Sequence, residues 1–134
     1  MSDGGNKIIY PEISYAINCI LFAVHNELGR YCNEKQICDR IEIYLKQKNI
    51  LYRREVVLDQ SFDGEMKGRN RIDFIIGNTI ILEIKTVDFL SKDHYFQLRR
   101  YLQAGNLKLG ILVNFREKRL HPRRILNSNQ VQSK

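Results

Sequence analysis

The chain has three cysteines, Cys19, Cys32 and Cys38, an odd number with no C-x-x-C pair among them. That excludes a zinc knuckle and gives no framework for disulfides, so the thiols are expected in helix cores. No run approaches the roughly 20 apolar residues of a membrane span. The most apolar early stretch, Ile13 to Val24, is broken by Ser14, Asn18 and Cys19 and follows the polar start Ser2-Asp3-Gly4-Gly5-Asn6-Lys7. It makes a poor signal peptide, and a cytoplasmic location with no membrane partner is the default expectation. The chain lacks a His-Glu-x-x-His helix, a Walker loop and any serine or cysteine nucleophile arrangement, which argues against metalloprotease, nucleotidase and acyl-transfer chemistry.

What is present is one domain's worth of chain, 134 residues with 43% hydrophobic content, enough for a real core. The net charge of +7 is unevenly spread. From Arg99 onward nine basic residues stand against one acid, Glu117, while the rest is close to neutral. A basic end on a neutral body suits a polyanion, and Arg99, Arg100, Arg116, Lys118, Arg119, Arg123 and Arg124 are the candidate phosphate contacts. A merely solubilising tail is the competing explanation.

The segment Arg71-Ile72-Asp73-Phe74-Ile75-Ile76-Gly77-Asn78-Thr79-Ile80-Ile81-Leu82-Glu83-Ile84-Lys85 carries the sharpest signal. Two β-branched runs flank Gly77-Asn78, a hairpin signature. With Gly77-Asn78-Thr79 as the loop, Asp73 sits directly opposite Glu83, and Lys85 shares the face of Glu83. Like charges at that spacing repel, and burying them uncompensated costs several kcal/mol. A divalent cation between the carboxylates offsets this, and oxygen donors suit Mg²⁺ or Mn²⁺. The bland alternative is a structural ion triad in which Lys85 neutralises one carboxylate.

Along the chain, Pro11 opens a helix whose buried face is Ile13, Ile17, Ile20, Val24 and Leu28, stopped by Gly29. Asn33 caps a second helix ending near Asn49. Leu51 to Leu58 reads as a strand, followed by the hairpin, and Ser91 starts a third helix that runs to about Gln103, with Gly105 ending it. Leu107 to Phe115 is a strand expected to be buried on both faces. Arg119 to Leu126 adds an edge strand, since Pro122 is unwelcome centrally. The expectation is an α/β fold in the order α-α-β-β-β-α-β, a mixed β-sheet flanked by helices over residues 10–126. Flexible ends are expected at 1–9 and 127–134.

That order, with D…ExK on a hairpin followed by a helix and a strand, resembles the restriction-endonuclease-like core of the PD-(D/E)XK nuclease superfamily. Pro11-Glu12-Ile13-Ser14-Tyr15, Val24-His25-Asn26-Glu27-Leu28-Gly29, Glu34, Arg54-Glu55-Val56, Asp73-Phe74, Glu83-Ile84-Lys85 and Leu109 to Phe115 are similar to its GxxExxY branch. In the motif naming that branch, Glu34 stands, while Tyr31 and Ile37 occupy the glycine and tyrosine positions. The resemblance implies a Mg²⁺- or Mn²⁺-dependent nuclease. Asp73, Glu83 and Glu34 would be its metal ligands, and Lys85 the residue that orients or activates water. Gln97 and Tyr101, four apart on one helix face, resemble the QxxxY pattern that follows ExK in nuclease modules of recombination helicases. Gln97 is thereby a candidate catalytic residue, with Tyr101 and His25 at the active-site rim. The implied partner is nucleic acid, DNA ahead of RNA, and small enzymes of this superfamily often act as homodimers. The alternatives are a nucleic-acid-binding module without turnover and an interaction protein for acidic partners.

Overall fold

The computed structural model describes residues 10–60 and 62–127. The expected flexible segments 1–9 and 128–134 lie outside the described residues. Asn127 lies inside them: it is buried, and its amide donates to the carbonyls of Leu102 (3.3 Å) and Leu107 (3.0 Å).

The elements follow the expected order with the edge strand added: α1 (Pro11–Leu28), α2 (Glu34–Gln47), β1 (Tyr52–Val57), β2 (Arg71–Ile76), β3 (Ile80–Lys85), α3 (Lys92–Gly105), β4 (Leu109–Asn114) and β5 (Arg123–Leu126). They build one mixed five-stranded sheet in the spatial order β1-β2-β3-β4-β5. Only β3 and β4 run parallel, and α3 is their crossover. The other three pairs are antiparallel. The hairpin register is as expected, with Phe74 opposite Leu82 and Ile76 opposite Ile80. Gly77 and Asn78, the central residues of a turn closed by the Thr79 N–H on the Ile76 carbonyl (3.1 Å), both take positive φ (60° and 55°), the conformation for which a primed turn selects Gly and Asn.

The sheet is covered on both faces. Ile17, Ile20, Leu21 and Val24 of α1 and Ile37, Ile41 and Leu45 of α2 pack on Phe74, Ile76, Ile80, Leu82, Ile84, Ile111 and Val113. Leu98, Tyr101 and Leu102 of α3 pack on Ile72, Ile75, Ile81, Leu112 and Ile125. Every residue of β4 is therefore buried, as its continuous apolarity requires. No helix among the described residues is long and apolar enough to cross a membrane.

Two local expectations change. Gly105 is the last residue of α3 rather than its stop; Asn106 ends the helix in the left-handed region (φ 55°), which Asn tolerates better than most residues. Of the cysteines, only Cys38 is a helix-core thiol. Cys19 is exposed because α1 buries positions 14, 17, 20, 21 and 24 instead, and Cys32 lies half-buried in the α1–α2 loop. At the start of α3, His94 accepts the Ser91 N–H at its Nδ1 (2.9 Å) and closes the first turn.

One close approach fixes α3 over the site. A Cβ on Gly110 of β4 would lie 2.9 Å from Leu98 of α3, inside normal contact. Gly110→Ala is expected to destabilise the fold by about 1–3 kcal/mol through overpacking. Urea unfolding should show a lower midpoint at unchanged slope, and a wild-type midpoint would contradict this packing.

Candidate active site at the beta2-beta3 hairpin

The ladder between β2 and β3 stops at Phe74 and Leu82, one rung short of the acidic pair. At the next rung the side chains replace the missing backbone bonds. The Asp73 N–H donates to Glu83 Oε2 and the Ile84 N–H donates to Asp73 Oδ2, both at 2.8 Å. Each carboxylate is thus tied to the opposite strand, which fixes the pair far better than free rotamers would. Glu83 is buried at 5% exposure and Asp73 is half-buried.

Lys85 donates to Gln97 Oε1 at 3.0 Å and has its Nζ 3.9 Å from Glu83 Oε1. The structure thus brings Gln97, a candidate from its QxxxY spacing, to the lysine of the ExK motif. Tyr101, one turn later on α3, is buried. Burial and the nearby negative charge of Glu83 push its phenol up to about 12.

Glu34 arrives from the other side. Asn33 Oδ1 accepts the Gln36 N–H (2.8 Å) while Gln36 Oε1 accepts the Asn33 N–H (2.9 Å), a capping box that sets the first turn of α2 and with it Glu34. Partial desolvation and then the charge of Asp73 raise the Glu34 carboxyl above its ordinary range, with Lys85 opposing. Among the described residues, however, no three His, Cys, Asp or Glu side chains converge tightly enough to cage a metal ion.

The electrostatics explain what the pair needs. Burial is the main cause that pushes Glu83 up to about 8, followed by the charge of Asp73. Asp73 is also raised by burial, against the Ile84 N–H and the charges of Lys85 and Arg54. A pair of carboxyls whose ionised forms are disfavoured by burial and by neighbouring negative charge forms a site that favours a cation. Their all-oxygen donor set fits Mg²⁺ or Mn²⁺, and Mg²⁺ is commonly held by one or two carboxylates together with water and phosphate.

Three contributors escaped the sequence reading. Arg54 Nη1 lies 2.8 Å from both Asp39 and Glu42, its guanidinium lies over the Phe74 ring, and its charge steadies Asp73. Glu55 holds the place opposite Asp73 in the β1–β2 register but takes a left-handed φ of 55°. Around it the ribbon changes faces: Tyr52 and Phe74 pack under α1 and α2, whereas Val56 and Ile72 pack under α3. Strained backbone in mid-strand is typical of functional sites. Buried Asn114 exchanges two hydrogen bonds with Val87 (2.7 and 3.1 Å) and also accepts the Arg116 N–H (3.2 Å), pinning the chain beyond Lys85. All three stand in segments that carry the family resemblance, but the sequence attaches no role to them, because each acts through partners brought close only by the fold.

The remaining candidates sit farther out. His25 bonds the Glu117 carbonyl through Nε2 (3.0 Å) and meets Phe115 edge-on. Arg123 pairs with Glu117 (3.0 Å), Arg124 donates to Ser14 Oγ (2.9 Å) and Arg100 donates to Asn70 (3.3 Å). Arg99, Lys118 and Arg119 are exposed.

The raised carboxyl pKa values set a pH dependence. Their contribution to stability is complete below the ordinary range near 4.5 and is lost as pH rises through about 8, because the fold must then hold ionised buried carboxylates. The metal-free protein is expected to show a urea midpoint that falls across that window, and Glu83→Gln should flatten the fall. A flat native profile would contradict the assignment. Calorimetry with Mn²⁺ near pH 7 is expected to show binding coupled to proton release, sharply weakened in Asp73→Asn and Glu83→Gln. Unchanged affinity in both variants would remove the pair as ligands.

Comparison with known proteins agrees with this geometry. No curated protein and no solved structure matches the chain. A family model described as the PD-(D/E)XK nuclease superfamily matches residues 11–125, from the first residue of α1 into β5. The matched span contains the carboxylate pair, Lys85 and the helix that holds Gln97. The chain therefore belongs to the PD-(D/E)XK nuclease superfamily.

Proposed function

We propose that the protein is a metal-dependent nuclease that hydrolyses phosphodiester bonds, in DNA ahead of RNA. The observation that carries this reading is the Asp73–Glu83 pair, buried, cross-anchored to opposite strands, with Lys85 beside it on a glutamine leash. Asp73 and Glu83 would hold Mg²⁺ or Mn²⁺, with Glu34 contributing from α2 as a further acidic group. A divalent cation there supplies charge neutralisation at the phosphoryl oxygens and lowers the pKa of bound water.

The chain's own groups do the rest. The Lys85 ammonium has three donors. One goes to Gln97, leaving others to orient a water and to meet the charge that builds on the scissile phosphate. Gln97 can only accept from Lys85 through its carbonyl oxygen, so its amide N–H₂ faces away from the lysine. Tyr101, a buried neutral phenol one turn after Gln97, gives the site an uncharged wall.

Labelled linear, circular and junction DNA incubated with Mg²⁺, Mn²⁺ or EDTA tests the reading. Cleavage is expected with either metal and not with EDTA, and Lys85→Ala should reduce it by about 10²–10⁴-fold while nucleic-acid binding survives. A folded Lys85→Ala protein that cuts at the native rate would refute the mechanism. The second reading, a binding module without turnover, is favoured by Tyr31 and Ile37 at positions where the GxxExxY motif has glycine and tyrosine. It predicts no metal-dependent cleavage, with Lys85→Ala lowering stability instead.

A further inference from the structure

The α1–α2 loop, the β3–α3 loop, which follows directly on Lys85, and the β4–β5 loop line a cleft of about 690 Å³. Its charged lining is four basic residues, Arg30, Arg116, Lys118 and Arg123, against Asp88 and Glu117. Arg123 and Glu117 neutralise one another at 3.0 Å, so the remainder is net positive.

Arg30 and Arg116 are joined reciprocally. Arg30 Nε donates to the Arg116 carbonyl (2.9 Å), and Arg116 Nε donates to the Arg30 carbonyl (3.1 Å). Their guanidinium carbons lie over the ring of Tyr31, 5.4 and 5.6 Å from its centroid. Tyr31 is nevertheless 76% exposed, so the two arginines do not enclose it. Phe89, which lines the same cleft, is 85% exposed. A staple between two loops accounts for the Nε bonds. It does not account for the Tyr31 ring left in water against two guanidinium planes at the edge of the cleft, nor for the Phe89 ring exposed on its lining.

Unpaired nucleic acid supplies what this surface lacks. A free base offers a π face to Tyr31, Phe89 or a guanidinium plane, and its phosphate meets the ends of the arginine forks. A guanidinium has five N–H donors; each arginine spends its Nε–H on the staple, and Arg116 also has Nη1 3.8 Å from the exposed Asp88 carboxylate, so the Arg30 fork is the freer of the two. In a duplex the bases are already stacked on each other, so exposed rings gain nothing from it. The cleft is also tied to the site. Asn114 holds both Val87, two residues past Lys85, and the Arg116 N–H, while Tyr31 is three residues before Glu34.

We propose that this cleft is a stacking platform for unpaired nucleotides, which presents single-stranded nucleic acid to the Asp73–Glu83–Lys85 site. The use of the platform rests on the nuclease reading, whereas binding to it does not. The chain has no tryptophan, so Tyr31→Trp places a single indole on the platform.

The full chain in EDTA, where metal-dependent cutting is off, is titrated with an oligothymidylate and with a duplex of equal length. Oligothymidylate is expected to quench the indole and to bind the native chain more tightly than the duplex does. Tyr31→Ala and Phe89→Ala should each weaken oligothymidylate binding by about 5–100-fold, the span for loss of one stacked base, at unchanged melting temperature. Native-strength oligothymidylate binding by both variants, duplex binding with equal quenching, or equal competition by an acidic peptide would each overturn the platform. Binding as expected without metal-dependent cleavage would sink the nuclease reading and leave the platform. Intact cleavage of duplex by variants that bind oligothymidylate normally would do the reverse.

Discussion

Everything at the centre of this fold depends on one exchange, in which two carboxylates take over the hydrogen bonds that a β-ladder would have made with its own carbonyls. At the rung of Asp73 and Glu83 the strands part, and each acid accepts an N–H from across the gap. An ordinary rung would leave both side chains pointing off the sheet and free to rotate. The exchange instead spends one oxygen of each acid on position and leaves the other for chemistry. It also brings two like charges together under helices, a state that requires either protons or a cation.

The surrounding architecture makes that arrangement tolerable. The parallel pairing of β3 with β4 forces a crossover, and the crossover is α3, which carries Gln97 and Tyr101 over the site. Gly110 lets the helix come close, with Leu98 filling the space a side chain would have taken. From the opposite layer, the capping box of α2 presents Glu34, while Arg54 lends a positive charge from β1 and is itself neutralised by Asp39 and Glu42. The site is therefore built by three layers at once, and no single element carries it.

The parts legible in the sequence are those fixed by local rules. The Gly77-Asn78-Thr79 loop sets the register, so the opposition of Asp73 and Glu83 follows from counting outward from Asn78. Spacing along a helix likewise puts Gln97 and Tyr101 on one side of α3. The half-buried loop position of Cys32 and the pinning by Asn114 depend on partners that no local pattern names. Glu55 shows the limit most clearly: its place opposite Asp73 is set by pairing across residues 58–70, whose length gives no register. The basic end was visible as composition. Its division into stapled, ion-paired and exposed residues required the β4–β5 loop to be placed against α1.

The left-handed residue in β1 has a consequence for the way this hairpin tolerates change. In a regular strand each side chain's face is fixed by whether its number is odd or even. Here the parity reverses at one rung, and it reverses in both partners, so that Val56 and Ile72 remain a matched pair on the new face. The two phase shifts cancel only because they are level with each other. Losing one residue from either strand would restore that strand's parity while its neighbour kept the reversal, turning apolar side chains outward along half the ribbon. The rung that carries the acid is thus also the point at which β1 and β2 must lengthen or shorten together.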